Sequence, residues 1–216
     1  MTGRFITIEG GEGAGKSTQI KILVARLRAL GLEVVQTREP GGSPGAESLR
    51  ELVVTGEAGR WSAKTELLII YAARSDHLEK LIKPALEREA WVICDRFNDS
   101  TRAYQGAGGG IEPELIESLD QAIVGVNQPD LVLLMDMPVE TGLKRAKLRA
   151  IAMGESEDRF ESKGLEFHNR LRQAFLGLKA TAPQRYSLIE ADQDKDEVAK
   201  AIWQEVVAHF PELKGA

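Results

Sequence analysis

Short runs of consecutive apolar residues alternate along the chain with longer stretches in which apolar residues return every three or four positions. The short runs fall at residues 5–8, 34–37, 91–94, 131–135 and 186–190. Each has the length of a strand. Leu131-Val132-Leu133-Leu134-Met135 is apolar at every position, the pattern of a strand covered on both faces. Between the first two runs, Ile20, Leu23, Val24, Leu27 and Leu30 recur at helical spacing, and Gly31 follows as a stop. A similar period runs from 66 to 86, with Pro84 interrupting it near the end. The stretch 112–124 carries Pro113 at a favoured first-turn position. Asp194 or Asp196 is placed to cap a final helix bearing Val198, Ile202 and Val206. This alternation predicts an α/β fold of three layers, a five-stranded parallel sheet with helices on both faces. Neither an internal repeat nor a long linker divides it, so a single domain over 1–216 is expected.

Composition narrows the partners. The 28 basic and 33 acidic residues leave a net charge of -5, which offers no general field for a nucleic acid polymer. The single cysteine, Cys94, cannot form an internal disulfide, and its apolar setting after Trp91-Val92-Ile93 points to a buried, inert thiol. The apolar run before Glu9 is too short for a signal-peptide core, and nothing approaches the roughly 20 apolar residues of a membrane span. A cytoplasmic protein without a membrane segment is expected.

The glycine-rich segments interrupt the regular alternation, and loops of this kind carry chemistry in open α/β folds. Gly10-Gly11-Glu12-Gly13-Ala14-Gly15-Lys16-Ser17 satisfies G-x-x-x-x-G-K-[ST] between a candidate strand and an amphipathic helix. Such glycines let successive backbone N–H groups curl around a phosphate at a helix N-terminus. Lys16 would reach the β- and γ-phosphates of ATP, the Ser17 hydroxyl would ligate Mg²⁺, and Thr18 continues the cradle. A metal-supporting carboxylate is needed at the end of another strand, and two positions fit, Asp95 and Asp136. Asp95 is preferred because Arg96 beside it could place positive charge near a transferring phosphate. For Asp136 the plain role of a strand-end residue is favoured.

Further motifs join this cradle: Thr37-Arg38-Glu39-Pro40-Gly41-Gly42, Tyr71-Ala72-Ala73-Arg74, Asp95-Arg96-Phe97, Ser100-Thr101-Arg102-Ala103-Tyr104-Gln105-Gly106 and Gly142-Leu143-Lys144-Arg145-Ala146. In this order and spacing the chain resembles the bacterial thymidylate kinase family, over nearly its whole length. The resemblance implies transfer of a phosphoryl group from ATP to dTMP with Mg²⁺, and a homodimer formed through helices. It implies that Arg38 and Arg96 hold the acceptor phosphate, with Ser100 and Gln105 also among the dTMP-binding residues. Arg74 would read the edge of the base, Thr101 would bond it, and Tyr104 would sit against the sugar. Glu12 matches a carboxylate near the acceptor sugar and the metal. Relatives often stack the base on a Phe four residues before that arginine, where this chain has Ile70. Tyr71 is the available aromatic, either stacking the base or packing the core.

Gly13 stands where one branch of the family carries arginine. Positive charge would then come from a lid at about 146–160, through Arg145, Lys147, Arg149 or Arg159, with Arg149 the catalytic candidate. A solvated helix face is the plainer reading of that run. Arg145 would lie against adenine, bordered by Ala191-Asp192-Gln193. Gly109 departs from the Gly-Arg-Gly of many relatives and removes one acceptor-side charge. His77, His168 and His209 lack metal-ligand spacing and are assigned no chemistry. The rivals are a kinase for another pyrimidine nucleotide and a regulatory ATPase, which would turn over without an acceptor.

Overall fold

A computed structural model describes residues 3–57, 59–153 and 163–215. Among them five strands form one parallel sheet: β1 (Phe5–Gly10), β2 (Val34–Arg38), β3 (Trp91–Asp95), β4 (Leu131–Asp136) and β5 (Tyr186–Glu190). Their order is β2-β3-β1-β4-β5, so the chain leaves β1 toward one edge and later returns to its other side. That reversal opens a crevice at the carboxyl end of β1, where such sheets bind ligands. The burial pattern follows position. β1 is buried at every residue, β3 and β4 at all but the last, whereas the edge strands β2 and β5 alternate. The expected strands are all present, and β1, β2, β3 and β4 each run slightly further than the apolar runs. Their terminal residues are polar or glycine but still pair, as Arg38 does with Asp95 and Gly10 with Met135.

Helix α1 (Lys16–Ala29) buries Ile20, Leu23, Val24 and Leu27 against β1, β3 and β4. It ends at Gly31, whose φ of 79° is the left-handed stop expected there. Helix α2 (Pro44–Val54) is capped by Ser43, whose side chain accepts from the Ala46 N–H. The long helical period ahead of β3 divides into α3 (Ala63–His77), a π turn (Leu78–Ile82) and α4 (Lys83–Glu87). Pro84 explains the division. It lacks an N–H and its ring crowds the carbonyl four residues back, so the chain widens to an i→i+5 register before it.

After β3 come a single turn α5 (Asn98–Thr101), a π-helical segment (Arg102–Gly108) and α6 (Pro113–Ile123). Helices α7 (Val139–Met153) and α8 (Leu165–Thr181) flank the expected lid, and α9 (Lys195–His209) is capped by Asp194 through the Asp196 N–H. Residues 154–160 of the expected lid, including Arg159, lie outside the described residues. Cys94 is fully buried, and burial pushes its thiol well above the ordinary range, as its apolar neighbours implied.

Candidate active site

The cradle sits at the carboxyl end of β1. Gly15 holds the turn into α1 with φ 85° and no side-chain cap, which leaves the first N–H groups of the helix for an anion. Lys16 folds back across the loop, donating from Nζ to the Gly10 and Gly11 carbonyls at 3.1 and 2.8 Å. Burial pulls its ammonium down to about 8; Arg96 adds to this, against Glu12, Asp95 and Glu9. The Ser17 hydroxyl donates to Asp95 Oδ2 at 3.0 Å, so the two expected metal-binding groups stand side by side. Asp136 is instead clamped by Arg172, which donates to both its oxygens at 2.7 and 2.8 Å. That is a strand-end ion pair.

Arg96 is the hinge between the cradle and the segment behind β3. Its φ of 68° is left-handed, uncommon for a residue with a side chain, and folds the guanidinium back under the cradle. There it donates to the Gly10 carbonyl, to Ser100 Oγ and, at 2.8 Å, to Glu12 Oε1. The Tyr104 hydroxyl donates to the same Glu12 oxygen at 2.5 Å, and Arg96 lies over the Tyr104 ring at 4.9 Å. Burial opposes ionisation of Glu12, but Arg96, Lys16 and the Tyr104 bond together draw it down to about 2. Behind this group lies Glu9, wholly buried, accepting from the Phe97 N–H at 2.7 Å and the Ser100 hydroxyl at 2.6 Å. Burial, with Asp99 adding, raises it to about 7.

A second cluster lies past β2. The turn after Arg38 contains a cis Glu39–Pro40 bond. Arg38 reaches outward, its side chain 55% exposed, and pairs with Glu47 at 3.0 Å. Glu39 turns inward. It accepts from Arg74 Nε at 2.7 Å, inside a site where both side chains are nearly inaccessible. Arg74 also donates from Nη2 to the Phe97 carbonyl and to Thr101 Oγ1, while its buried Nη1 has no hydrogen-bond partner among the described residues. Gln105 bonds Glu66 from the adjoining wall.

Tyr71 requires a correction. It is 1% exposed, its hydroxyl donates to the Ile116 carbonyl, and Arg74 covers its ring at 4.8 Å. Of the two expectations for it, the structure shows core packing, because the ring and the hydroxyl are both already engaged. Arg145 contacts Ala191 and Asp192, the loop it was expected to meet. Arg149 is exposed on α7.

The chain has matches among known proteins. The family model described as thymidylate kinase covers residues 8–202. The chain belongs to the thymidylate kinase family. The thymidylate kinase of Caulobacter vibrioides is 55% identical over 95% of this chain and 96% of its own. That of Nitrobacter winogradskyi is 50% identical over 93% and 86%. Among solved structures, the thymidylate kinase from Ehrlichia chaffeensis superposes with a TM-score of 0.77 at 32% identity, covering 95% of this chain and 100% of that one.

Within the family frame, the two glycine departures acquire physical reasons. Gly13 has φ 68°, and a Cβ there would stand 1.9 Å from the Gly142 carbonyl of α7, so an arginine has no room. At Gly109, directly after the π-helical segment, a Cβ would meet the Gln105 carbonyl at 2.7 Å. Sequence reasoning missed Glu9, Glu39, Glu66 and His77. The one available signal was position: Glu9 is the penultimate residue of β1, and Glu39 directly follows Arg38 at the end of β2.

Proposed function

We propose that the chain transfers the γ-phosphoryl group of ATP to the phosphate of dTMP, giving ADP and dTDP, in the cytoplasm and as a homodimer. The observation that carries this is the Glu12 junction. One carboxylate of the phosphate cradle binds Arg96 and Tyr104, both from the segment expected to hold the acceptor, so donor and acceptor sites share a wall. An ATPase with no acceptor would have no use for that wall, nor for a buried arginine with an unspent donor beside it.

Lys16 leaves the Gly10 and Gly11 carbonyls to meet the β- and γ-phosphates. Ser17 and Asp95 would hold Mg²⁺: a hydroxyl and one carboxylate in the cleft suit an ion that takes its remaining oxygens from phosphates and water. When bound, the ion neutralises charge across the donor phosphates. Arg38 and Arg96 face the acceptor dianion, Arg38 exchanging Glu47 for phosphate. Arg74 Nη1 donates to the edge of the pyrimidine, and Thr101 and Gln105 line the same side. The acceptor phosphate is already ionised near neutral pH, so the protein supplies no nucleophile. Arg145 borders the adenine, and Arg149, on α7, brings positive charge to the transferring phosphate. The exposed face of α3, where Leu68 is 55% accessible, supports a helix-mediated dimer.

The test is ADP release, measured with ATP and Mg²⁺ against each nucleoside monophosphate and against none. Release that depends on dTMP, and that Arg74→Ala suppresses by raising KM for dTMP, is the expected result. Equal release without an acceptor would end this reading.

A further inference from the structure

Thr37, His77, Glu39 and Arg74 form a continuous chain of buried contacts. His77 is fully buried, with Nδ1 3.0 Å from Glu39 Oε1 and Nε2 2.7 Å from Thr37 Oγ1. The other Glu39 oxygen accepts from Arg74 Nε. A guanidinium presents its donors in one rigid plane, so holding Nε and Nη2 fixes where Nη1 points. Glu39 holds Nε, and the Phe97 carbonyl and Thr101 hydroxyl hold Nη2. Glu39 can orient Arg74 only if it is oriented itself. In this site His77 supplies that second grip, its two ring nitrogens set between Glu39 Oε1 and the Thr37 hydroxyl.

The turn after Arg38 leans on the same imidazole. A Cβ on Gly42 would lie 2.3 Å from His77 Nε2 and 2.4 Å from Thr37 Oγ1. One side chain on α3 thus touches the end of β2, the turn that follows it and the carboxylate that holds Arg74.

We propose that His77 is a positioning residue for acceptor recognition, acting through Glu39 to set the direction of the unpartnered Arg74 Nη1. This rests on the reading of Arg74 as the base-reading group. Removing the imidazole lets Glu39 rotate, and Arg74 then loses its aim before it loses its charge. The loss falls on dTMP and spares ATP.

The experiment is steady-state kinetics of His77→Asn, His77→Gln, Glu39→Gln and Arg74→Lys, with KM determined for both substrates. An asparagine amide nitrogen replaces Nδ1 and keeps the bond to Glu39; a glutamine nitrogen replaces Nε2 and keeps only the bond to Thr37. His77→Gln and Glu39→Gln are expected to raise KM for dTMP roughly tenfold, with kcat and KM for ATP within about twofold of wild type, and His77→Asn to recover most of the loss. Equal KM for dTMP in the two His77 variants, or an unchanged value in Glu39→Gln, overturns the proposal. Arg74→Lys separates the two levels: an unchanged KM for dTMP there removes the role of Arg74 itself, whatever the His77 variants show.

Discussion

At the scale of single residues, the site is organised by acids that differ in what surrounds them. Glu12 lies among cations and is drawn down to about 2, whereas Glu9, one strand-end away, is buried with Asp99 near it and sits at about 7. Their effects on stability run in opposite directions. Glu12 has a depressed folded value, so its contribution is present above the unfolded value of 4.5 and is lost as pH falls toward 2. Glu9 has a raised folded value, so its contribution is present below 4.5 and is lost as pH climbs through 7. Glu9→Gln removes that titration while keeping an acceptor for the Phe97 N–H. The Tm of the variant relative to wild type is therefore expected to rise between pH 5 and pH 8, and a thermal melt across that range checks it. A difference that stays flat with pH would show that Glu9 ionises in the fold as it does in water. Neither value was legible in the sequence, because Glu9 reads as a polar residue closing a strand until Asp99, Ser100 and Phe97 are folded around it.

At the scale of elements, two backbone contacts decide what the loops can carry. The cradle and α7 meet glycine to glycine: a Cβ on Gly13 would strike the Gly142 carbonyl, and one on Gly142 would stand 2.4 Å from the Glu12 carbonyl. The helix that leads toward the lid is thus seated directly on the phosphate loop. Gly142→Ala must part the two, and overpacking of this kind costs about 1–3 kcal/mol. A drop of that size in urea denaturation is expected, together with a rise in KM for ATP larger than any rise for dTMP. The π-helical segment sets a similar limit at Gly109, so Gly109→Arg, which restores the residue common in relatives, is expected to lower Tm rather than improve acceptor binding. A scan of Tm and KM for dTMP in that variant decides between the two. The glycines could be read from the sequence as departures. Their reason could not, since it lies in a carbonyl that comes near only through the π register or through α7.

At the scale of the whole molecule, the central strands are the mechanical base of the site. Leu133 in β4 is fully buried between the two helical layers. Leu133→Ala is expected to lose about 2–5 kcal/mol in chemical denaturation. Below its melting range kcat should stay near wild type, since the cradle hangs from the strand end and not from this side chain. The proposed dimer belongs to the same scale. Leu68→Asp is expected to shift sedimentation velocity from dimer to monomer, and an unchanged profile would move the interface away from the outer face of α3.

The strands, their parallel arrangement and the cradle were determined by local sequence. Apolar runs have no other way to bury both faces, and a glycine-rich turn before Lys16-Ser17 places N–H groups and a cation together within a few residues. Ser17 with Asp95, and Arg96 with Ser100, followed once the strand ends were placed. What the tertiary structure decided was the occupancy of the interior. Tyr71 went to the core because Arg74 and the Ile116 carbonyl take its ring and hydroxyl. Arg38 paired with Glu47, nine residues on in helix α2, and not with its neighbour Glu39. Glu39 and His77 lie 38 residues apart in the chain and meet only because α3 packs beneath the end of β2. Burial of a charge is settled by the partners that surround it, and those partners come from elements whose packing no local pattern specifies.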